Sequence, residues 1–281
     1  MKYRELYEAG VCTLQNAGIA ECELDARLLL EAVCGTNRND LLAHGDNEVS
    51  EKEYNSYVNH IERRKSHEPL QYITGEQEFM GLPFLVNEHV LIPRQDTEVL
   101  VEEVMRFLQD GMDILDMCTG SGCILLSLLH YSNNCRGVGA DISEKALETA
   151  EENAARLSEN NAEFVCSDLF DKIDGEFDII VSNPPYIESG VIPTLMQEVR
   201  DFEPMEALDG KADGLFFYDR IIEQASCYLR GGGYLFVEIG CDQAEAVAGR
   251  MKAAGYREVT VIRDYAGLNR AVYGYWNKER P

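Results

Sequence analysis

The chain has 281 residues, of which 45% are hydrophobic and 27% are charged. This composition is that of an ordinary globular protein and excludes a disordered or fibrous chain, and the length suits one large domain or two modest ones. The chain carries 25 Lys and Arg residues against 50 Asp and Glu residues, a formal net charge of −25. Nucleic acid is therefore a poor default partner because phosphate binding requires a basic surface, and solubility is the simplest explanation of the acidic excess.

The cysteines and the apolar segments indicate where the protein acts. There are nine cysteines, with no C-x-x-C pair and no paired Cys/His spacing typical of a structural zinc site, so we expect reduced thiols and no metal. The first ten residues lack an apolar core segment, and the longest apolar stretch, Ile124 to Leu129, is too short to cross a bilayer. We expect a cytoplasmic protein that does not bind membranes.

The first 68 residues are predicted to form a small helical domain. Apolar residues recur at helical spacing from Leu24 to Ala32, and Gly35 follows as a helix stop. The segment Ser50-Glu-Lys-Glu53 has the form of a capping box and predicts a second helix that begins after Ser50.

Residues 69–92 are predicted to form a linker with a hairpin, since prolines and glycines alternate there with apolar and aromatic residues. Residues 93–281 are predicted to form an α/β domain, in which a helical pattern is followed by alternating strand and helix patterns. The predicted strands are 113–117, 137–141, 163–166, 177–182, 234–239, 258–263 and 270–276. We expect helices between the first five strands and an antiparallel pair at the end, hence a doubly wound, mostly parallel, seven-stranded Rossmann-like sheet.

The first candidate site is a glycine-containing turn that follows the first of these strands. Gly120 and Gly122 allow the backbone to approach a ligand, and the next helix offers N–H groups to an anion. A dinucleotide fingerprint would require a third glycine where this chain has Leu125. Asp141, at the end of the next strand, could accept hydrogen bonds from both hydroxyls of a ribose, or it could cap the helix near Ser143.

Asp168 and Leu169 follow the third strand of the sheet. Asp168 could accept a hydrogen bond from an adenine amine while Leu169 packs on the ring. A plain turn residue is an equally good interpretation of Asp168 from this segment alone.

The segment Asn183-Pro-Pro-Tyr186 directly follows the fourth strand. Two consecutive prolines stiffen the loop and remove two donors, which favours acceptors for a planar NH₂ group: the Asn183 side-chain oxygen and the Pro184 carbonyl. Tyr186 could lie against the flat face of that group. Such acceptors favour a pyramidal nitrogen, which could attack a sulfonium methyl group in line. The simpler alternative is a turn stiffened by Pro184 and Pro185.

This loop and the glycine turn together resemble the class I S-adenosylmethionine-dependent methyltransferases that modify planar nitrogen. One branch methylates adenine N6 in nucleic acid, and the other methylates a glutamine amide in peptide chain release factors. The rest of the chain resembles the second branch, the release factor glutamine methyltransferases of PrmC/HemK type. The matching segments are PLQYITG (69–75), FMGLPF (79–84), VLIPRQDTE (90–98), EPMEALDG (203–210), DGL (213–215) and DYAGLNR (264–270).

The resemblance implies N5 methylation of the glutamine in a Gly-Gly-Gln motif, with S-adenosylmethionine as the methyl donor and S-adenosylhomocysteine as the product, in support of translation termination. It also implies a helical domain that helps to hold the release factor, and we expect a monomer. The implied cofactor site comprises Cys118, Thr119, Gly120, Ser121, Gly122, Asp141, Asp168, Leu169 and Asn183. The implied catalytic residues are Asn183, Pro184 and Tyr186, and the implied substrate site adds Pro185, Phe79 and Arg94.

Three alternative functions explain the sequence less well. An adenine N6 methyltransferase would need a basic recognition surface, and the one dense basic cluster, Arg63-Arg-Lys65, is typical of an exposed helix face. A noncatalytic adenosyl-binding protein would not need Asn183 and Tyr186 together. A nicotinamide oxidoreductase would leave the Asn-Pro-Pro-Tyr segment unexplained. The chain departs from the family pattern at Cys118, where glycine is usual, and at Gln95, where proline is usual.

Overall fold

The computed structural model describes residues 1–277. Two compact units can be distinguished in it. The helical unit contains Met1–Glu76 together with Met196–Phe202, and the sheet unit contains Gln77–Leu195 and the described residues from Glu203 onward. The domain boundaries at residues 68 and 92 stay a prediction.

The helical unit begins with five helices. Both predicted helix signals are found: Gly35 ends the second helix in the left-handed region (φ 58°), and Ser50 Oγ accepts from the backbone N–H of Glu53 at 3.3 Å. The helices bury an apolar core that includes Leu14, Leu29 and Leu30. Their bounds are α1 (Tyr3–Asn16), α2 (Cys22–Cys34), α3 (Arg38–Ala43), α4 (Glu51–Lys65) and α5 (Leu70–Thr74).

The remaining elements alternate strands and helices. In chain order they are β1 (Glu76–Phe79), β2 (Leu82–Leu85), α6 (Gln95–Met105), β3 (Asp113–Met117), α7 (Cys123–His130), β4 (Arg136–Asp141), α8 (Glu144–Leu157), β5 (Ala162–Cys166), β6 (Phe177–Ser182), α9 (Gln197–Phe202), α10 (Met205–Leu208), α11 (Phe216–Tyr228), β7 (Leu229–Glu238), α12 (Ala244–Ala253), β8 (Arg257–Arg263) and β9 (Asn269–Trp276).

Seven strands form one sheet in the order β5-β4-β3-β6-β7-β9-β8. The first five in this order run parallel, and β9 is antiparallel to both β7 and β8. The predicted fold class is therefore confirmed. Strand order reverses beside β3, the point at which open α/β sheets bind ligands beyond the carboxyl ends of their strands.

The sheet is covered on both faces, which explains why consecutive residues of its central strands β3 and β6 are buried. Alternate residues face opposite sides: Leu115 and Ile180 pack with α11 and α12 residues in one core cluster. Ile114 and Ile179 pack with α6 and α7 residues in the other. Within residues 1–277, no helix is long and apolar enough to cross a membrane.

Three local predictions differ from the structure. The linker begins with the short helix α5, and its hairpin is confined to β1 and β2. The residues between β5 and β6, 167–176, contain turns rather than the expected helix. β7 begins at Leu229 rather than Tyr234, because Leu229 pairs with Phe177 ahead of an irregularity in the β6–β7 ladder. The starts and ends of the other six predicted strands agree within one residue.

Candidate active site

A cavity of about 600 Å³ lies in the sheet unit, at the carboxyl ends of the strands. Its size is that of a cavity for a small-molecule ligand. Segments that follow β3, β4, β5 and β6 all contribute to its wall, as the topology of a parallel sheet requires. The predicted cofactor residues that line it are Cys118, Thr119, Gly120, Ser121, Asp141, Asp168, Leu169 and Asn183. Gly122 is not among the lining residues.

The turn after β3 takes the left-handed backbone conformation at Cys118 (φ 62°), Gly120 (φ 55°) and Gly122 (φ 79°). Gly122 also caps α7, and a Cβ atom there would lie 3.2 Å from the Cβ of Ala150. Cys118 takes the left-handed conformation although it is not a glycine. A non-glycine residue in this region costs about 1–2 kcal/mol.

Asp116, which the sequence analysis missed, supports this turn from inside the sheet. Its Oδ2 accepts from Thr119 Oγ1 at 2.6 Å and from the backbone N–H of Leu125 at 3.3 Å. Complete burial raises the pKa of Asp116 to about 7, against the opposing effect of these hydrogen bonds. The only sequence signal was an acidic residue among the apolar residues Ile114, Leu115 and Met117 of β3.

Asp141 both holds the turn and lines the cavity. Its Oδ2 accepts from the backbone N–H of Gly120 at 2.9 Å, and its Oδ1 accepts from that of Ser143 at 3.0 Å. Ser143 itself caps α8. Burial raises the pKa of Asp141, and the backbone hydrogen bonds oppose that rise. Each oxygen has a second lone pair, so the carboxylate can still accept hydrogen bonds from a ligand.

Asp168 lies beside two residues that sequence reasoning did not single out. Its Oδ1 is 2.9 Å from Nη1 of Arg220, whose guanidinium lies 5.8 Å from the ring centre of Phe216. Arg220 and Phe216 are four residues apart on α11, and both line the cavity. Leu169 is largely buried, with φ 49°.

The segment after β6 contributes Asn183 to the cavity wall. The side-chain amide of Asn183 donates from Nδ2 to Oγ1 of Thr97 at 3.4 Å, which leaves Oδ1 as an acceptor. Thr97 is buried on α6 and also lines the cavity. Pro185 contributes to the wall, whereas Pro184 and Tyr186 do not. Thr97 lies in the segment VLIPRQDTE (90–98), but nothing in the spacing of that segment connects Thr97 to Asn183.

The two remaining predicted substrate residues have different surroundings. Arg94 lines the cavity and pairs with Glu203. Phe79 does not reach the cavity: it is only 1% exposed and packs edge-on against Phe84, with ring centroids 6.1 Å apart. Strand alternation in β1 directs this ring into the core, so Phe79 is a core residue rather than a cavity residue.

Two domain families match the chain. The model of the PrmC N-terminal domain matches residues 5–75, and that of a methyltransferase domain matches residues 108–263. A release factor glutamine methyltransferase of Agrobacterium fabrum is 41% identical to this chain, with 92% of each chain covered. One from Moorella thermoacetica is also 41% identical, with 99% of this chain and 100% of the relative covered.

The chain belongs to the release factor glutamine methyltransferase family. Among solved structures, a methyltransferase of Pyrococcus furiosus is similar with a TM-score of 0.53 at 19% identity, covering 71% of this chain and 91% of that one. This likeness shows the fold alone. The predictions of the family, of its methyltransferase function and of the Rossmann-like sheet are confirmed. Within residues 1–277, no group of three or more His, Cys, Asp or Glu residues could hold a metal ion.

Proposed function

We propose that this chain transfers a methyl group from S-adenosylmethionine to the side-chain nitrogen of the glutamine in the Gly-Gly-Gln motif of peptide chain release factors. The observation that carries the proposal is the orientation of Asn183, whose Oδ1 is left as an acceptor in the cavity wall by the contact of Nδ2 with Thr97. The names of the relatives support a release factor as substrate. We further propose that the protein acts as a cytoplasmic monomer and binds neither nucleic acid nor membranes.

The cavity has the polar groups that an adenosyl ligand requires. Asp141 would accept from the ribose, Asp168 from the adenine amine, and the turn from Cys118 to Gly122 would pass close to the ligand. Leu169 would pack on the adenine ring. When bound, S-adenosylmethionine supplies an electrophilic methyl group on a sulfonium and leaves as S-adenosylhomocysteine.

The loop after β6 would hold the substrate amide. Asn183 Oδ1 and the Pro184 carbonyl would each accept one N–H of the glutamine side chain, and Tyr186 would lie against its flat face. An amide nitrogen is a weak nucleophile because its lone pair is delocalised. Acceptors placed out of the amide plane favour the pyramidal form, in which the lone pair is available to form the N–C bond. The methylated nitrogen then loses an acidic proton, so no strong base is needed.

The test uses S-adenosylmethionine with a radioactive methyl group. The purified protein is offered an unmethylated release factor, its Gly-Gly-Ala variant and unmethylated duplex DNA, in parallel. We expect label on the release factor alone. Label on the Gly-Gly-Ala variant would contradict glutamine methylation at that position, and label on DNA would favour an adenine N6 methyltransferase. Asn183→Ala should abolish most labelling while S-adenosylhomocysteine still binds.

A further inference from the structure

Tyr186, the last residue of the Asn-Pro-Pro-Tyr loop, is held at two separate points. Its backbone carbonyl accepts from Nε2 of Gln243 at 3.0 Å, and its hydroxyl donates to Oε1 of Glu238 at 3.3 Å. Glu238 is the last residue of β7, and Gln243 directly precedes α12. Neither residue is used by the proposed function, and neither is among the described residues that line the cavity.

The carboxamide of Gln243 is fixed in orientation by further hydrogen bonds. Its Nε2 also donates to the carbonyl of Gly214 at 3.2 Å, and its Oε1 accepts from the backbone N–H of Gly240 at 2.9 Å. The hydroxyl of Tyr218 lies 3.4 Å from the same oxygen. Both hydrogens of Nε2 are donated to backbone carbonyls. Rotating the amide by 180° would place Oε1 next to those two carbonyl oxygens, so the observed orientation is strongly favoured.

Glu238 is a buried acid, with 2% of its surface exposed. Its backbone carbonyl accepts from the hydroxyl of Tyr218 at 2.8 Å, so the end of β7 is itself held in place. The Oε2 atom has no hydrogen-bond partner among residues 1–277. An acid in such surroundings costs free energy unless it serves a contact, and the Glu238 side chain interacts with the hydroxyls of Tyr186 and Thr97.

The backbone of Tyr186 is also packed closely from a third side. A Cβ atom on Gly214 would lie 2.3 Å from the carbonyl oxygen of Tyr186, and one on Gly210 would lie 2.7 Å from its Cα. The next residue, Ile187, is bridged to the same segment: its N–H donates to Leu208 at 3.1 Å. Displacement of Tyr186 is therefore restricted by contacts as well as by hydrogen bonds.

We propose that Gln243 and Glu238 are positioning residues that hold Tyr186, and with it the loop 183–186, in the geometry required for methyl transfer. This inference rests on the proposed function of that loop. It assigns to both residues an effect on turnover that is transmitted through Tyr186. Cofactor affinity should not depend on either of them.

We call the contacts of Tyr186 with Gln243 and Glu238 the anchor. The variants below separate loss of the anchor from loss of the fold. Gln243→Met keeps the side-chain length and removes both donors, and Gln243→Glu keeps the shape and replaces Nε2 by an oxygen. Glu238→Met removes the acceptor for the Tyr186 hydroxyl, whereas Glu238→Gln retains one. Asp242→Asn is the matched control, because Asp242 is an exposed neighbour of Gln243. For each we would measure kcat and KM for release factor, and the Kd of S-adenosylhomocysteine.

We expect Gln243→Met, Gln243→Glu and Glu238→Met each to lower kcat at least ten-fold, with Kd within two-fold of the original protein. Glu238→Gln should restore most of the turnover that Glu238→Met loses, and Asp242→Asn should have no effect. In a Tyr186→Phe background, Glu238→Met should lower kcat less than two-fold further, because the hydroxyl through which it acts is gone. The proposal would be overturned if kcat of the double variant fell by the product of the two separate effects. It would also be overturned if the Kd of S-adenosylhomocysteine rose by as large a factor as kcat fell.

A second measurement decides the anchor without any substrate. Hydrogen exchange of the amides of residues 186–189 should be at least ten-fold faster in Gln243→Met, while the amides of β3 should be unchanged. Unchanged exchange in the loop would refute the anchor whatever the activity. If the original protein labels no release factor, the proposed function fails, and loop exchange still shows whether the anchor exists.

Discussion

Arg64 lies at the centre of an ion cluster inside the helical unit. Its Nε is 2.7 Å from Oδ2 of Asp25, its Nη2 is 2.6 Å from Oε1 of Glu198, and its Nη1 donates to the carbonyl of Glu68 at 3.1 Å. The side chains of Arg64 and Asp25 are each only 6% exposed. Replacing Arg64 by methionine would therefore leave a buried carboxylate without its counter-charge.

The stability lost in Arg64→Met can be estimated from the burial of this ion pair. Removing one partner of a buried ion pair costs about 3–5 kcal/mol, because the remaining charge stays in a poorly solvated place. Burial already raises the pKa of Asp25, although Arg64 opposes the rise. An acid whose pKa is raised by folding destabilises the fold as pH rises through the range between its unfolded and folded pKa values. The cost of Arg64→Met should therefore be larger at pH 8 than at pH 5.

Hydrogen exchange resolved by segment is the suitable assay, since two units need not unfold together. In Arg64→Met, amides of α2 and α4 should exchange about 100- to 4,000-fold faster, with β3 as the unaffected reference. Lys65→Met is the matched control: Lys65 pairs with Glu62 on the same helix, but the two side chains are 47% and 57% exposed. We expect Lys65→Met to lower the stability of the helical unit by less than about 1 kcal/mol. A cost below about 1 kcal/mol for Arg64→Met would refute the argument.

Four further predictions concern the sheet unit. Thr97→Val removes the 3.4 Å contact that orients Asn183, and steady-state kinetics should show kcat about five-fold lower at unchanged cofactor affinity, since such a bond contributes about 1 kcal/mol. Asp141→Ala should raise the Kd of S-adenosylhomocysteine about 100-fold by calorimetry, and an unchanged Kd would refute its ligand role. Asp116, with its pKa raised to about 7, should contribute a loss of stability as pH rises from about 4 to about 7, and urea titrations of Asp116→Asn should show a smaller pH slope than those of the original protein. At Cys118 (φ 62°), the glycine variant should be about 1 kcal/mol more stable than the alanine variant, as thermal unfolding would show.

Features that depend on neighbouring residues could be predicted from the sequence. Gly35 and the Ser50 capping box mark helix ends through contacts within a few residues, and both are found. The alternating strands and the positions of their carboxyl ends predicted which loops would share a cavity. Cys118 kept a left-handed conformation that glycine would favour, because the turn around it determines the backbone path.

The errors and omissions involve contacts between distant residues. Phe79 was expected near the substrate, but its side of β1 faces the core, and no local pattern distinguishes the two outcomes. Asp168 pairs with Arg220, which is 52 residues away along the chain. Thr97 contacts Asn183 across 86 residues. A single sequence contains no spacing rule for such pairs.

The register of the sheet explains why Glu238 can reach the loop 183–186. Ser182 of β6 pairs with Val237 of the adjacent parallel strand β7. The next residues, Asn183 just beyond β6 and Glu238 at the end of β7, therefore lie side by side at the same edge of the sheet. A buried acid one residue beyond that pair is in position to contact the loop that begins there, and the Tyr186 hydroxyl is the group it contacts. The contact between Glu238 and the loop is thus a consequence of strand order: once β6 and β7 are neighbours, the residue that ends β7 lies beside the residues that we propose to hold the substrate amide.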